Sequence, residues 1–245
     1  MNAPGTPSRR ILLFTRAPRD EARSKRLSPR AHRLFGRLAR SWSRAAAAAG
    51  AELEVSCPAA DREELARLLG DRIRTLRSQT GETFGARLAG AIRDALGAGG
   101  AVLVVGGDVP APDVDVVARA FAHLEAHAGS AVLEPSPDGG VNAIGLRQCP
   151  AALADGIRWG TPAVHGELAA LFRAHAMPLL ELAPRIDVDG TDAARTAARA
   201  GGSWARFAPE LAAACVDRHA DVPVVLIPGG NSHGRTSASR APPPA

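Results

Sequence analysis

Two sets of opposite charge stand out along this chain. The acidic set is Asp108, in Gly106-Gly107-Asp108-Val109-Pro110, with Asp187 and Asp189, in Ile186-Asp187-Val188-Asp189-Gly190-Thr191. Carboxylates at i and i+2 project to the same side of an extended chain. Their oxygens are the ligands that hard cations such as Mg²⁺ or Mn²⁺ prefer. One of Asp187 and Asp189 could therefore join Asp108 at a shared divalent cation. Helix capping competes for the same residue types. Asp113 rivals Asp108 as the cap of the helix that follows, and Asp189, Thr191 and Asp192 all favour helix starts. Gly107 would let a ligand approach the backbone beside Asp108.

The basic set lies in residues 15–27, which carry Arg16, Arg19, Arg23, Lys25 and Arg26. Arginine and lysine beside a helix start form a natural cradle for a diphosphate. The stretch contains no glycine, so it is not a P-loop; an exposed charged loop is the alternative. The chain has a net charge of +5, concentrated here. Residues 9–44 hold twelve Lys and Arg against Asp20 and Glu21, whereas the remainder holds 18 basic and 23 acidic residues. An anionic partner near the N-terminus is implied. Lys25 is the only lysine of the chain.

Two further segments have chemical potential. In Asp138-Gly139-Gly140, Asp138 is placed either to meet an acceptor hydroxyl or simply to make a turn, and the glycines either line a pocket floor or serve the same turn. In Trp159-Gly160-Thr161-Pro162, Trp159 either stacks on a substrate or packs, and Thr161 reads as an N-cap ahead of a proline at the first helical position. The seven histidines show no metal-ligand spacing, and no GxSxG or Cys/His constellation supports a covalent hydrolase. Cys57, Cys149 and Cys215 lack metal spacing and read as buried thiols of a reducing compartment. No apolar run approaches the ~18 residues of a membrane span, and no secretion signal is evident, so the cytoplasm is expected.

These residues need a scaffold that brings them together. Apolar runs at 11–15, 51–56, 72–76, 101–105, 131–134, 141–147, 179–182 and 222–227 read as strands. Helical spacing covers 30–50, 61–69, 82–96, 113–126, 162–176, 192–200 and 203–219, while 16–29 reads as a loop. Strands alternating with helices predict an α/β protein with three layers, α/β/α, around a mostly parallel mixed sheet. Ligands of such sheets sit beyond the carboxyl ends of the strands, where both charged sets fall. The expected organisation is an N-terminal extension over 1–10, one domain over 11–228 whose stretch 201–228 has no clear place, and a disordered Gly, Ser, Pro and Arg tail over 229–245.

Taken in order, several segments resemble a bacterial glycosyltransferase-like family of the GT-A, nucleotide-diphospho-sugar transferase superfamily, whose relatives include the nucleotidyltransferases of molybdopterin and phospholactate. The resemblance spans residues 11–194. It rests on Ala17-Pro18 with the basic loop to Arg26-Leu27; on Gln79-Thr80-Gly81-Glu82-Thr83-Phe84-Gly85-Ala86-Arg87-Leu88; on Gly107-Asp108-Val109-Pro110; on Asp138-Gly139-Gly140 with Ile144-Gly145-Leu146; on Trp159 and Thr161; and on Asp187-Val188-Asp189. It implies a GT-A-like fold that binds a nucleotide-activated small-molecule donor. Arg16, Arg23, Lys25 and Arg26 would face the phosphates, Gln79, Gly81, Arg87 and Gly107 would shape the nucleotide pocket, and Asp108, Asp187 and Asp189 would hold Mg²⁺ or Mn²⁺. Asp108 and Asp138 would be catalytic, and Gly139, Gly140, Trp159 and Thr161 would form the acceptor pocket.

The chain departs from the family pattern at several points. Asp20-Glu21 replaces a Pro-Gly step, Ser24 stands where a lysine is usual with Lys25 one residue late, Val109 replaces a cysteine, and Val141-Asn142 replaces an aromatic pair. Three functions stay open on this basis: transfer of a glycosyl group, transfer of a nucleotidyl group with release of pyrophosphate, or nucleotide binding without turnover. A nucleic-acid partner is disfavoured, because the basic segment lacks interleaved aromatic residues.

Overall fold

The computed structural model describes residues 8–97 and 99–215. Seven strands form one sheet in the order β3-β2-β1-β4-β6-β5-β7. They are β1 (Arg9–Phe14), β2 (Glu52–Cys57), β3 (Ile73–Ser78), β4 (Ala101–Gly106), β5 (Ala131–Pro135), β6 (Val141–Leu146) and β7 (Leu179–Glu181). β1 to β4 pair in parallel, and β7 pairs in parallel with β5. β6 runs antiparallel between β4 and β5. The α/β mixed sheet expected from the alternation of runs is what forms. The strand expected at 222–227 and the tail over 229–245 lie outside the described residues.

Helices cover both faces because the strands are apolar on both. Along β1, Ile11 and Leu13 enter one core and Leu12 the other; along β4, Leu103 and Val105 oppose Val102 and Val104. That is the period of two expected of extended chain, in runs that read as continuously apolar because neither face meets water. Helices α2 (His32–Ala48), α3 (Arg62–Leu69) and α5 (Val114–Ala126) cover the first face through Trp42, Leu65, Leu69, Val117 and Phe121. Helices α4 (Phe84–Leu96) and α6 (Val164–Ala174) cover the second through Leu88, Ile92, Leu168 and Phe172.

A third apolar cluster lies off the sheet. It joins α1 (Pro18–Ser24) and α2 to α7 (Thr191–Ala200) and α8 (Ala208–Ala214), through Ala22, Leu27, Leu34, Leu38, Val188, Trp204, Phe207 and Leu211. Residues 202–215 thus gain a place that their sequence did not reveal. They form a 3-10 turn, Gly202–Phe207, and then α8, rather than the single helix expected from 203 onward.

Helix α1 corrects the reading of 16–29 as a loop. Pro18 opens it without losing a hydrogen bond, Asp20 and Glu21 occupy its first turn, and Arg23 its last. Each suits its end of the helix dipole. The backbone N–H of Ala17 donates to the buried Asp61 carboxylate at 2.7 Å. Lys25 caps the C-terminus, and Arg26 then turns the chain at φ +54°. β1 starts at Arg9, two residues before the expected run: Arg9 and Arg10 pair with Ala101 and Val102 of β4, and Glu125, Glu52 and Glu54 compensate their charges. α6 begins two residues later than expected. The Thr161 hydroxyl still accepts from Ala163 N, at 3.3 Å, in the turn that precedes the helix.

Candidate functional site

Strands β1, β2 and β3 are laid down in one direction across the sheet, and β4 is then placed on the other side of β1. The carboxyl ends of β1 and β4 therefore border the point where strand order reverses, the usual place for a ligand in such sheets. A cleft of 470 Å³ opens there, within the range of small-molecule and cofactor sites. β6 points the opposite way, so its first residues, Val141 and Asn142, complete the floor. The cleft has room at this point because Gly107 packs on Thr15. A Cβ on Gly107 would lie 2.1 Å from the Thr15 hydroxyl.

One end of the cleft is ionic. Asp108 follows β4, and carboxylate oxygens of Asp108, Asp187 and Asp189 lie within 4.8 Å of one another. The alternation of residues 187–189 explains the placement. Val188 is fully buried in the third cluster, so its two neighbours face the cleft, and Val188 N donates to Asp108 O at 3.1 Å. Asp113, not Asp108, takes the cap position of α5. The ammonium of Lys25 sits among the acids. Its Nζ donates to Asp108 Oδ2 at 2.6 Å and to Asp189 Oδ1, and lies 3.5 Å from Glu21 Oε1.

Lys25 keeps only 10% of its side chain exposed. Burial opposes its charge, but Asp108, Glu21 and Asp189 outweigh burial and hold the ammonium well above the ordinary lysine range. Asp187 is pushed up to about 6, first by burial and then by the charge of Asp108, while the Ser136 hydroxyl donates to it at 2.5 Å and partly offsets the rise. Glu21 is raised for the same two leading reasons, burial and Asp108.

A buried clamp holds these loops in place. The Arg185 guanidinium grips Glu134 with Nε to Oε1 at 2.6 Å and Nη2 to Oε2 at 2.5 Å, and also donates to Pro110 O. Glu134 is 1% exposed. The Asn142 amide donates to Arg185 O at 2.6 Å. The end of β5, the start of β6, the loop after β4 and the segment carrying Asp187 are thereby joined.

The other end is aromatic. Phe84, in the first turn of α4 beyond the Thr83 cap, has its ring centroid 5.7 Å from Phe14 and 5.2 Å from Trp159. All three rings line the cleft, and Phe84 is 43% exposed. Trp159 reaches over the helix start because residue 85 is glycine; a Cβ there would lie 2.6 Å from the indole nitrogen. That nitrogen is buried and has no hydrogen-bond partner among the described residues. Arg16, Gln79 and Arg87 line the same cleft. Gln79 donates to Ser56 O at 3.0 Å, and Arg87 to Glu82 O at 3.2 Å.

Of the residues singled out in the sequence, Arg16, Lys25, Gln79, Arg87, Gly107, Asp108, Trp159, Asp187 and Asp189 therefore meet in one cleft. The others are placed around it. Arg23 turns to Asp20 at 2.6 Å and lines a separate basic hollow with Arg19, Arg30 and His32. Arg26 is exposed. Gly81, at φ +127°, gives its carbonyl to Arg87. Asp138 accepts from Gly140 N at 2.9 Å and closes its own turn, while Gly139 abuts Pro162 and accepts from His165 N. Thr161 donates to Arg158 O. The three cysteines are free thiols.

Sequence reasoning missed Glu21, Phe14, Phe84, Ser136 and the Arg185 clamp. The spacing of Glu21 and Lys25, i to i+4 on one helix face, would have pointed to the first of these had α1 been recognised. Phe84 gave a fainter sign, a large ring in the first turn after the Thr83 cap.

Residues 41–161 match a family described as "Uncharacterized protein conserved in bacteria (DUF2064)". The DUF2064 span carries Gln79, Phe84, Arg87, Asp108 and Trp159, and stops short of Lys25 on one side and Asp187 on the other. No curated protein matches the chain. A crystal structure from Desulfovibrio desulfuricans G20, described as a "putative nucleotide-diphospho-sugar transferase", aligns with TM-score 0.69 and 24% identity over 84% of this chain and 97% of that one. A structure described as a nucleotidyl transferase from Methanothermobacter thermautotroptrophicus aligns with TM-score 0.50 and 14% identity, over 85% and 99%. At such identities the likeness establishes a shared fold. No helix among the described residues is long and apolar enough to cross a membrane.

Proposed function

We propose that the protein transfers a group from a nucleotide-activated donor, a nucleoside-diphosphate sugar, with the help of a divalent cation. The observation that carries this reading is the meeting of Asp108, Asp187, Asp189 and Lys25 at the strand-order reversal, in a cleft large enough for such a donor. The donor set fits Mg²⁺ or Mn²⁺: it is all carboxylate oxygen, drawn from two segments that the buried clamp holds together. When bound there, the cation would offset the charge that builds on the leaving diphosphate.

The chain's own residues supply the rest. Lys25 keeps the acids compensated before ligand arrives. With cation and donor bound, its ammonium turns from Asp108 and Asp189 to a phosphate oxygen, where Arg16 adds a second positive charge. Gln79 and Arg87, both tethered to backbone carbonyls, border the nucleoside. Arg23, Arg26, Asp138, Gly139, Gly140 and Thr161 take no part in this reading, since their contacts are to neighbouring backbone, to a nearby acid or to solvent.

A thermal-shift screen of nucleoside diphosphates and nucleotide sugars, with and without Mn²⁺, tests the proposal. A stabilisation that requires both ligand and metal, and that Asp108→Asn abolishes, is expected. An unchanged metal-dependent shift in that variant would overturn it. Product analysis then separates the two chemistries: a free nucleoside diphosphate means glycosyl transfer, and pyrophosphate means nucleotidyl transfer.

A further inference from the structure

We infer that the wall formed by Phe14, Phe84 and Trp159 seats the nucleobase of the donor. The inference rests on the transfer reading above and deepens it. The rings form one continuous run along the cleft, with centroids 5.7 Å and 5.2 Å apart. The middle ring, Phe84, keeps 43% of its surface exposed and so is open to a ligand in the cleft. Flat π-faces accept any base by stacking. The polar groups beside them, Gln79 and Arg87, suit the edge of a heterocycle rather than a second hydrocarbon surface.

The polarity of the cleft points the same way. The acids gathered with Lys25 and the three adjoining rings are two separate groups that line a single hollow. A ligand that satisfies both carries a charged diphosphate at one end and a planar ring at the other. Phe14 is the last residue of β1, and the next two, Thr15 and Arg16, lead toward the ionic end. Base, ribose and diphosphate would therefore lie along one continuous edge.

Tryptophan fluorescence reads this directly. Trp42 and Trp204 are 1% and 4% exposed, so a ligand stacked in the cleft quenches Trp159 selectively. The full chain is titrated with nucleosides alone, with Mn²⁺–pyrophosphate, with nucleoside diphosphates and with phenol as an aromatic-alcohol probe. Expected are quenching by at least one nucleoside, and nucleoside diphosphate affinity about tenfold above that of pyrophosphate, lost in Phe84→Ala. Phe84→Ala should change pyrophosphate affinity far less, and its exposed position keeps the fold intact.

The inference is overturned if nucleoside diphosphates bind no better than pyrophosphate and leave the fluorescence unchanged; the transfer reading then survives. Quenching by phenol alone overturns it as well, because the wall would then serve an aromatic acceptor. Quenching by nucleosides without any Mn²⁺-dependent pyrophosphate binding supports the wall and defeats the transfer reading.

Discussion

Toward α1 the cleft is lined by groups that satisfy one another: three aspartates and Glu21 gathered around the Lys25 ammonium. Toward α4 it is lined by rings and by an indole N–H with no partner. The first region has already spent its attraction internally. A ligand there must exchange contacts, so the net gain is small and the selectivity large, as with any desolvated ion pair. The second region has nothing to exchange. Covering it with a flat apolar surface is a direct gain. On the proposed reading, recognition would divide accordingly, with discrimination at the acid cluster and affinity at the rings.

The largest test of this contrast is Arg185→Met. It leaves Glu134 charged, buried and alone, which costs about 3–5 kcal/mol. Denaturant titration should show that loss, together with a melting temperature lower by roughly 10 °C. Lysine at the same position should recover part of it. If the ionic end is held by the clamp, cation binding measured by calorimetry falls in the same variant while nucleoside quenching persists.

Lys25→Met is next. Without its internal competitor the acid cluster should bind Mn²⁺ alone about tenfold more tightly than the unaltered chain does, yet bind nucleoside diphosphate less well. Equal Mn²⁺ affinity in the two chains, measured by calorimetry, would show that the ammonium and the metal do not share a place.

The smallest effect concerns pH. Asp187 is pushed up to about 6 in the folded chain, through burial and the charge of Asp108, above the value of about 3.9 expected when unfolded. The folded state thus binds more protons than the unfolded state between these values, and stability falls as pH rises across that window. Asp187→Asn removes the penalty. It should raise the melting temperature of the metal-free chain by a few degrees at pH 8, at about 2–4 °C for each kcal/mol, and change it little at pH 4. An equal rise at both pH values would trace the gain to something other than charge.

How legible all this was depended on the kind of signal. The sheet was readable because β1 and β4 are uninterrupted apolar runs, and such runs specify buried strands whatever their partners. Asp108, Asp187 and Asp189 were readable because segments that follow strands fall on the ligand side of such a sheet. Helix α1 was not, since its seven residues hold no apolar repeat beyond Pro18 and Ala22; its signs were a proline and two acids at the start. The ring wall was hidden for another reason. Phe14, Phe84 and Trp159 are 70 and 75 residues apart in order along the chain, and no local pattern brings them together. Arg185 and Glu134 share that fate: a buried ion pair leaves no periodic trace in either segment. For Asp138 the structure shows the turn contact with Gly140 N, one of the two uses that its sequence left open.

The third apolar cluster has a consequence for assembly. It fastens Ala22, on the helix that ends in Lys25, to Val188, between two of the acids, and its remaining members extend to Trp204, Phe207 and Leu211. The ionic centre is thus stapled shut by the late part of the described chain. During synthesis the first six strands can pair while those residues are still inside the ribosome, and the nascent protein would hold a sheet without a working centre. The acids and Lys25 would be brought together when the last described helices dock, so that a chain cut short before residue 201 is expected to keep its sheet and lose the gathered charges.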